Sequence, residues 1–331
     1  MLASQHALSP ACPVCGSRDW APEGTAPGLD QLTYELCSCV VCGVVRVPQD
    51  QVHVRLSDYY GDDYYSQNLA GRRSPKLRLK MFLESSHIPA LRRLLQRSSI
   101  GWLPQPSYAG ARLLDVGCGD GATMLRARAM GWDAEGCEVS ESASSLARQH
   151  GFRCYSGEWE DLLPHESFDL VWAHHCLEHV PDPARALAAM CAATRERGMI
   201  VIGLPNFDSA VARTLGGSWW ATKAPHHLWH FSAAHLERML QRSGFVVTRV
   251  RRQSIAQGLL QPAPLASQWR LLRGLGWSPA RIATSYARAM GVALRLTVKG
   301  TGPVSGQGYA FSLECARPSP TRSPGPREQP R

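Results

Sequence analysis

Two sets of residues in this chain have types and spacings that suit chemistry. In Leu113-Leu114-Asp115-Val116-Gly117-Cys118-Gly119-Asp120-Gly121 an apolar run ends in an acid and then in three glycines at alternate positions. Glycines so spaced let the backbone turn sharply and let a ligand reach main-chain N–H groups that a Cβ would screen. The acids then choose the ligand. Phosphate-binding loops carry Lys or a bare helix N-terminus, whereas Asp115 and Asp120 repel phosphate and attract an ammonium or sulfonium group. The pattern points to S-adenosylmethionine and away from a dinucleotide.

The second set is Cys12-Pro13-Val14-Cys15-Gly16 and Cys39-Val40-Val41-Cys42-Gly43, two C-x-x-C-G knuckles separated by 23 residues. In each, a pair of thiolates grips one face of a zinc ion while the following Gly allows the turn that aims backbone N–H groups at sulfur. Paired, they give a closed Cys₄ site at Cys12, Cys15, Cys39 and Cys42, with Leu32 to Leu36 and Val44 to Val47 as short strands of a zinc ribbon. Cys37 is surplus and stands as an alternative to Cys39, but only Cys39 keeps the two-residue spacing to Cys42. With four protein ligands the metal has no open position, so the site stabilises a small fold and does no chemistry.

These residues need regular elements to hold them, and the sequence supplies an alternation. Arg112 to Val116, Ala134 to Val139, Arg153 to Ser156, Phe168 to Ala173 and Met199 to Leu204 read as strands. Between them Ala122 to Met130, Glu141 to His150 and Pro183 to Arg195, closed by Gly198, read as helices. A helix over Ala234 to Gln241, a strand over Phe245 to Arg251 and a last strand over Tyr309 to Cys315 complete the set. Repeated β–α order predicts an α/β fold, a parallel sheet covered on both faces by helices. The expected organisation is a zinc ribbon over 1–57, an aromatic and basic helical linker and cap over 58–110, and the α/β domain over 111–316. That domain carries a helical insertion over 254–307, and 317–331 form a disordered tail.

At 331 residues there is room for one large domain and a smaller one. The net charge of +9 is concentrated: residues 72–97 contribute +7 and 317–331 contribute +3, leaving the rest at about −1. A near-neutral folded domain is a poor trap for a polyanion, which argues against nucleic acid. The arginines of 72–97 read as a solvated helix face or as contacts to an acidic substrate or anionic membrane. The tyrosine cluster Tyr59, Tyr60, Tyr64 and Tyr65 reads as a pocket cover or a packed linker. No charged N-terminal region precedes an apolar run, and no window reaches the roughly 18 apolar residues that span a bilayer. A cytoplasmic protein is expected. Its eleven cysteines are then metal ligands, buried apolar residues or catalytic groups, not a disulfide framework.

With the glycine loop and strands placed, the chain resembles a class I S-adenosylmethionine-dependent methyltransferase of the type 11/23 kind. The likeness is carried by Leu114 to Gly121, Phe168-Asp169-Leu170-Val171, Leu177-Glu178-His179-Val180-Pro181-Asp182-Pro183, and His227 to Ser232 before Gly244-Phe245. It implies a Rossmann-like seven-stranded sheet. It further implies that Gly117, Cys118, Gly119 and Gly121 give the cofactor close backbone approach, and that Asp115 holds its amino-acid portion directly or through water. Glu138, 23 residues after Asp115, would take the ribose hydroxyls, where the family usually has Asp. Glu158 stands either against the adenine amine or exposed at a strand end.

Methyl transfer is an in-line displacement, so the protein chiefly aligns donor and acceptor and excludes water. A hydroxyl or acidic carbon acceptor also needs a base, and histidine titrates near neutrality. His174, His175 and His179 follow the fourth strand, and His226, His227 and His230 follow the fifth. His179 and His227 are the candidate bases, each with the alternative of a packing role or, beside Glu178, of holding a divalent metal. Trp219, Trp220 and Trp229 form either an apolar acceptor wall or core. The function expected is methylation of a small molecule or glycan. The alternatives are a nucleic-acid methyltransferase using the ribbon and basic helix, against which stands the absence of an Asn/Asp-Pro-Pro-aromatic segment after the fourth strand, and a non-catalytic zinc-ribbon scaffold.

Overall fold

The strand at the start of the α/β region shows why the sheet is buried on both sides. In β4 (Arg112–Val116), Leu114 and Val116 join one apolar cluster while Leu113 joins another across the sheet, all fully buried. Such a two-faced strand needs cover on both faces. This structure is a computed structural model. It describes residues 10–52 except 29 and 31, 103–253 except 158 and 220, short pieces between 273 and 291, and 310–318. The tyrosine-rich and basic stretch 53–102, most of the expected insertion and the tail beyond 318 lie outside the described residues.

The first three strands, β1 (Trp20–Pro27), β2 (Thr33–Cys39) and β3 (Val45–Arg46), are antiparallel. After β4 come α1 (Ala122–Ala129), β5 (Asp133–Glu138), α2 (Glu141–Gln149), β6 (Cys154–Ser156), β7 (Phe168–His174) and α3 (Pro183–Ala193). The chain continues with β8 (Thr194–Pro205), α4 (Ala210–Leu215), β9 (Trp229–His230), α5 (Ala233–Arg242), β10 (Val246–Gln253) and β11 (Ala310–Ala316). The large sheet has the order β10-β11-β8-β7-β4-β5-β6. Its β8, β7, β4, β5 and β6 are parallel, and β11 enters antiparallel between β8 and β10. The seven-stranded α/β fold read from the sequence is therefore present, as is a small N-terminal sheet carrying the cysteines.

Local chemistry sets the helix starts. Ser140 Oγ accepts from the Ala143 N–H at 3.4 Å, and Asp182 Oδ1 accepts from Ala184 and Arg185 at 3.1 and 3.0 Å, with Pro183 first in α3. α3 ends at Ala193, earlier than Gly198 suggests. Thr194 is buried, donates its hydroxyl to the Met190 carbonyl at 2.8 Å and already pairs with Phe168, so helix passes straight into strand. The small sheet has order β1-β2-β3-β9, and its fourth strand comes from far along the chain: Val45 pairs with His230 and Arg46 with Trp229.

Candidate active site and cysteine cluster

β4 carries Asp115 into the turn, where it is 4% exposed and its Oδ2 has no hydrogen-bond partner. Burial pushes its pKa up to about 8, against the pull of Arg126 and with the help of Glu138 and Asp120. A buried carboxyl with an unmatched oxygen suits a cationic ligand group, which would favour the carboxylate and satisfy the oxygen. Gly117, Gly119 and Gly121 have φ of 70°, 52° and 84°, the left-handed region that side chains disfavour. A Cβ on Gly117 would also stand 3.2 Å from Cys176 Sγ.

Glu138, at the end of β5 and buried, binds this loop directly. Its Oε2 accepts the Gly119 N–H at 2.9 Å and its Oε1 the Ser140 N–H at 3.0 Å. The N–H groups of Gly117 and Cys118 both reach the Cys137 carbonyl, at 2.9 and 3.1 Å. The Cys118 thiol turns to Cys154, with the sulfurs 3.5 Å apart. Asp120 faces the helix it precedes, its Oδ1 accepting from Ala122 at 3.2 Å. Glu158 lies outside the described residues.

The other half of the site follows β7. Glu178 is 1% exposed; its Oε1 lies 3.2 Å from His175 Nδ1, and its Oε2 has no partner. Burial alone would raise its pKa, but the bond from His175 and the nearby imidazoles of His179 and His175 hold it below the usual range. His179 Nδ1 faces the His226 carbonyl at 2.9 Å and His227 Nδ1 the Ala221 carbonyl at 2.7 Å. A carbonyl only accepts, so both rings carry their proton on Nδ1 and a lone pair on Nε2. The rings meet edge to face with centroids 4.6 Å apart. Burial lowers both pKa values, that of His227 well below the ordinary one. Ligand atoms of Glu178, His179 and His227 all lie within 4.8 Å of one another, close enough to share a proton or a cation.

The remaining candidates separate by environment. His174 stacks on Trp172 and fills the space over Gly203, so it packs. His230 stacks on Phe207, and burial pushes its pKa down to about 3. Trp219 and Trp229 are buried, and the Trp229 indole donates to the Val180 carbonyl at 3.1 Å; Trp220 lies outside the described residues. Sequence reasoning missed two neighbours, Cys176 against Gly117 and Lys223, whose pKa burial lowers while Glu178 opposes it. Neither sits in a spacing pattern that would have marked it.

In the small sheet, Sγ atoms of Cys12, Cys15, Cys39 and Cys42 lie within 4.8 Å of one another, with 3.5 Å between Cys12 and Cys42 and between Cys15 and Cys39. Those separations exceed a disulfide bond and match four thiolates around one ion. Each knuckle closes alike: the Gly16 N–H donates to the Cys12 carbonyl and the Gly43 N–H to the Cys39 carbonyl, both at 2.8 Å. Burial would raise the Cys39 pKa, but backbone N–H groups of Cys42 and Val41 outweigh it and lower it to about 7. Of the two alternatives, Cys39 is the one in the cluster; Cys37 lies outside it, in register with Arg46 on β3. The donor set can hold a metal ion. Among the described residues no helix is long and apolar enough to cross a membrane.

A seven-stranded sheet with one inserted antiparallel strand, a glycine turn after the first parallel strand and an acid ending the second define a class I S-adenosylmethionine-dependent methyltransferase fold. Here it carries a four-cysteine cluster near its N-terminus. The chain belongs to the family described as "Methyltransferase domain", whose model matches residues 83–250. It is 29% identical over 177 residues to the ubiquinone biosynthesis O-methyltransferase of Rhodopseudomonas palustris strain HaA2, covering 49% of this chain and 66% of that one. Its likeness to the ubiquinone biosynthesis O-methyltransferase of Aromatoleum aromaticum is 33% identity over 131 residues, covering 36% and 56%. The chain thus spans less than two thirds of the length of either relative. A solved complex of the Haloferax volcanii Trm112 methyltransferase activator with a methyltransferase shares the fold, with TM-score 0.53, 14% identity, and coverage of 81% of this chain and 100% of that one.

Proposed function

We propose that this protein transfers a methyl group from S-adenosylmethionine to a hydroxyl of a small molecule, with His179 or His227 as general base and a structural Zn²⁺ in the cysteine cluster. The observation that carries the reading is the nearness of Cys176 to Gly117, where an added Cβ would stand 3.2 Å from the Cys176 sulfur, so that the donor loop lies beside the Glu178–His179 turn. The relatives named above are O-methyltransferases of ubiquinone biosynthesis, which favours oxygen over carbon and a small molecule over a glycan. The near-neutral charge outside two basic stretches speaks against nucleic acid, and the cofactor acids speak against a scaffold.

When bound, S-adenosylmethionine supplies a methyl group already activated on a sulfonium. Asp115 would neutralise its cationic amino-acid end, Glu138 would take the ribose hydroxyls, and the loop glycines would let it approach the backbone. On the acceptor side, Nε2 of His179 or His227 would take the proton of the acceptor hydroxyl. Burial keeps the rings neutral at neutral pH, so that each Nε2 offers a lone pair; the same burial weakens them as bases, which Glu178 opposes at His179.

The test is transfer of label from methyl-labelled cofactor into hydroxylated small molecules, glycans, RNA and DNA. Label should appear on a small-molecule hydroxyl. Replacing the acting histidine by Ala should lower kcat by about 10²- to 10⁴-fold with calorimetric cofactor affinity unchanged. Label in nucleic acid, or cofactor binding with no transfer to any class, would overturn the reading.

A further inference from the structure

A continuous set of hydrogen bonds joins the cysteine cluster to the histidine turn. β3 begins three residues after Cys42 and is the only strand among the described residues that pairs with β9. The Val47 N–H adds a bond to the Leu228 carbonyl at 2.9 Å. On its other side, this short segment grips the turn: the N–H groups of Leu228 and Trp229 both donate to the Glu178 carbonyl, at 2.8 and 3.1 Å. The Trp229 indole N–H donates to the Val180 carbonyl, while its ring packs 6.2 Å from that of Trp20. Two further bonds pin the module to α5, from His235 Nε2 to the Cys42 carbonyl and from Arg242 to the Val14 carbonyl, both at 2.9 Å. His226 and His227 lie immediately before β9, and the His226 carbonyl fixes the His179 ring.

We infer that the cysteine module positions the acceptor-side histidines, with Trp229 as the positioning residue that carries its order to Glu178, His179 and Val180. A two-residue strand cannot hold itself, so its place is set by β3, and the place of β3 by the knuckle at Cys39 and Cys42. The donor loop is anchored elsewhere, by Glu138 and the Cys137 carbonyl. The two halves of the site should therefore respond separately when the module is loosened. The inference rests on the function proposed above only in taking these histidines as the acceptor side.

Hydrogen–deuterium exchange on the full chain tests it, comparing the wild type with Cys42→Ser and with Trp229→Phe, which keeps a ring against Trp20 and removes the indole N–H. Exchange over 177–181 and 226–231 should rise about tenfold or more in both variants, while 112–121 and 133–140 stay as they were. Calorimetric affinity for S-adenosylmethionine should hold within about twofold. Should Cys42→Ser not fold, Trp229→Phe and chelator-treated wild type give the same reading. Unchanged exchange over 177–181 in Trp229→Phe overturns the inference whatever the transfer rate. Raised exchange with an unchanged kcat instead removes the histidines from catalysis and leaves the positioning intact.

Discussion

Asp115 and Glu138 are both buried acids of the proposed donor site, yet only Glu138 has both oxygens satisfied by backbone N–H groups. Asp115 keeps an unmatched oxygen and a pKa of about 8 against an ordinary 3.8. Between those two values the folded protein holds a proton there that a cationic ligand must displace. Cofactor binding at pH 7 should thus release about one proton, and affinity should climb as pH rises toward 8. Calorimetry in buffers of different ionisation enthalpy counts that proton; a count near zero would mean that Asp115 does not meet the cation. The loop itself was legible because its spacing is local: an acid, then alternate glycines, which the structure places in a turn with left-handed backbone after β4. Asp120, read with Asp115 as an acid that attracts a cation, here accepts the N–H of Ala122, the first residue of α1, at 3.2 Å, a contact that composition does not show.

At the scale of elements, the two knuckles show how much a short motif can specify. Thiolates two apart with a following glycine close the same turn twice, and the sheet brings the turns together. Purified protein should carry about one zinc per chain by elemental analysis, and Cys12→Ser should lose both the metal and thermal stability. A stable wild type without metal would remove the zinc. The strands around the knuckles were harder to read. β1 contains Pro22 and Pro27, which argue against a strand, and it is tolerated because it lies at the sheet edge. β9 spans two residues, too few for any periodicity, and exists only because β3 is there to pair with it.

For the molecule as a whole, the histidines matter as buried neutral groups, whatever their part in the proposed chemistry. His179, His227 and His230 are 8%, 3% and 4% exposed, and burial lowers the pKa of each. The unfolded chain binds protons at these sites below about pH 6.5 while the folded one does not. Stability should therefore fall as pH drops through that value, by up to about 1.4 kcal/mol per pH unit for each histidine until its folded pKa is reached. Asp115, shifted the opposite way, gains stability on acidification and offsets about one of them. Melting midpoints between pH 7 and 5 would show the net loss; a flat profile would contradict the burial of these rings.

The pairing of Val45 with His230 has a consequence for how the molecule is made. About 185 residues separate the partners, so during synthesis the small sheet waits without its last strand until most of the chain has emerged. Until then β3 is an open edge, able to accept a strand from another nascent copy. Residues 1–57 expressed alone would keep that edge exposed. The cysteine knuckles can close early, but the sheet they belong to is completed only when the methyltransferase fold delivers its own segment to it.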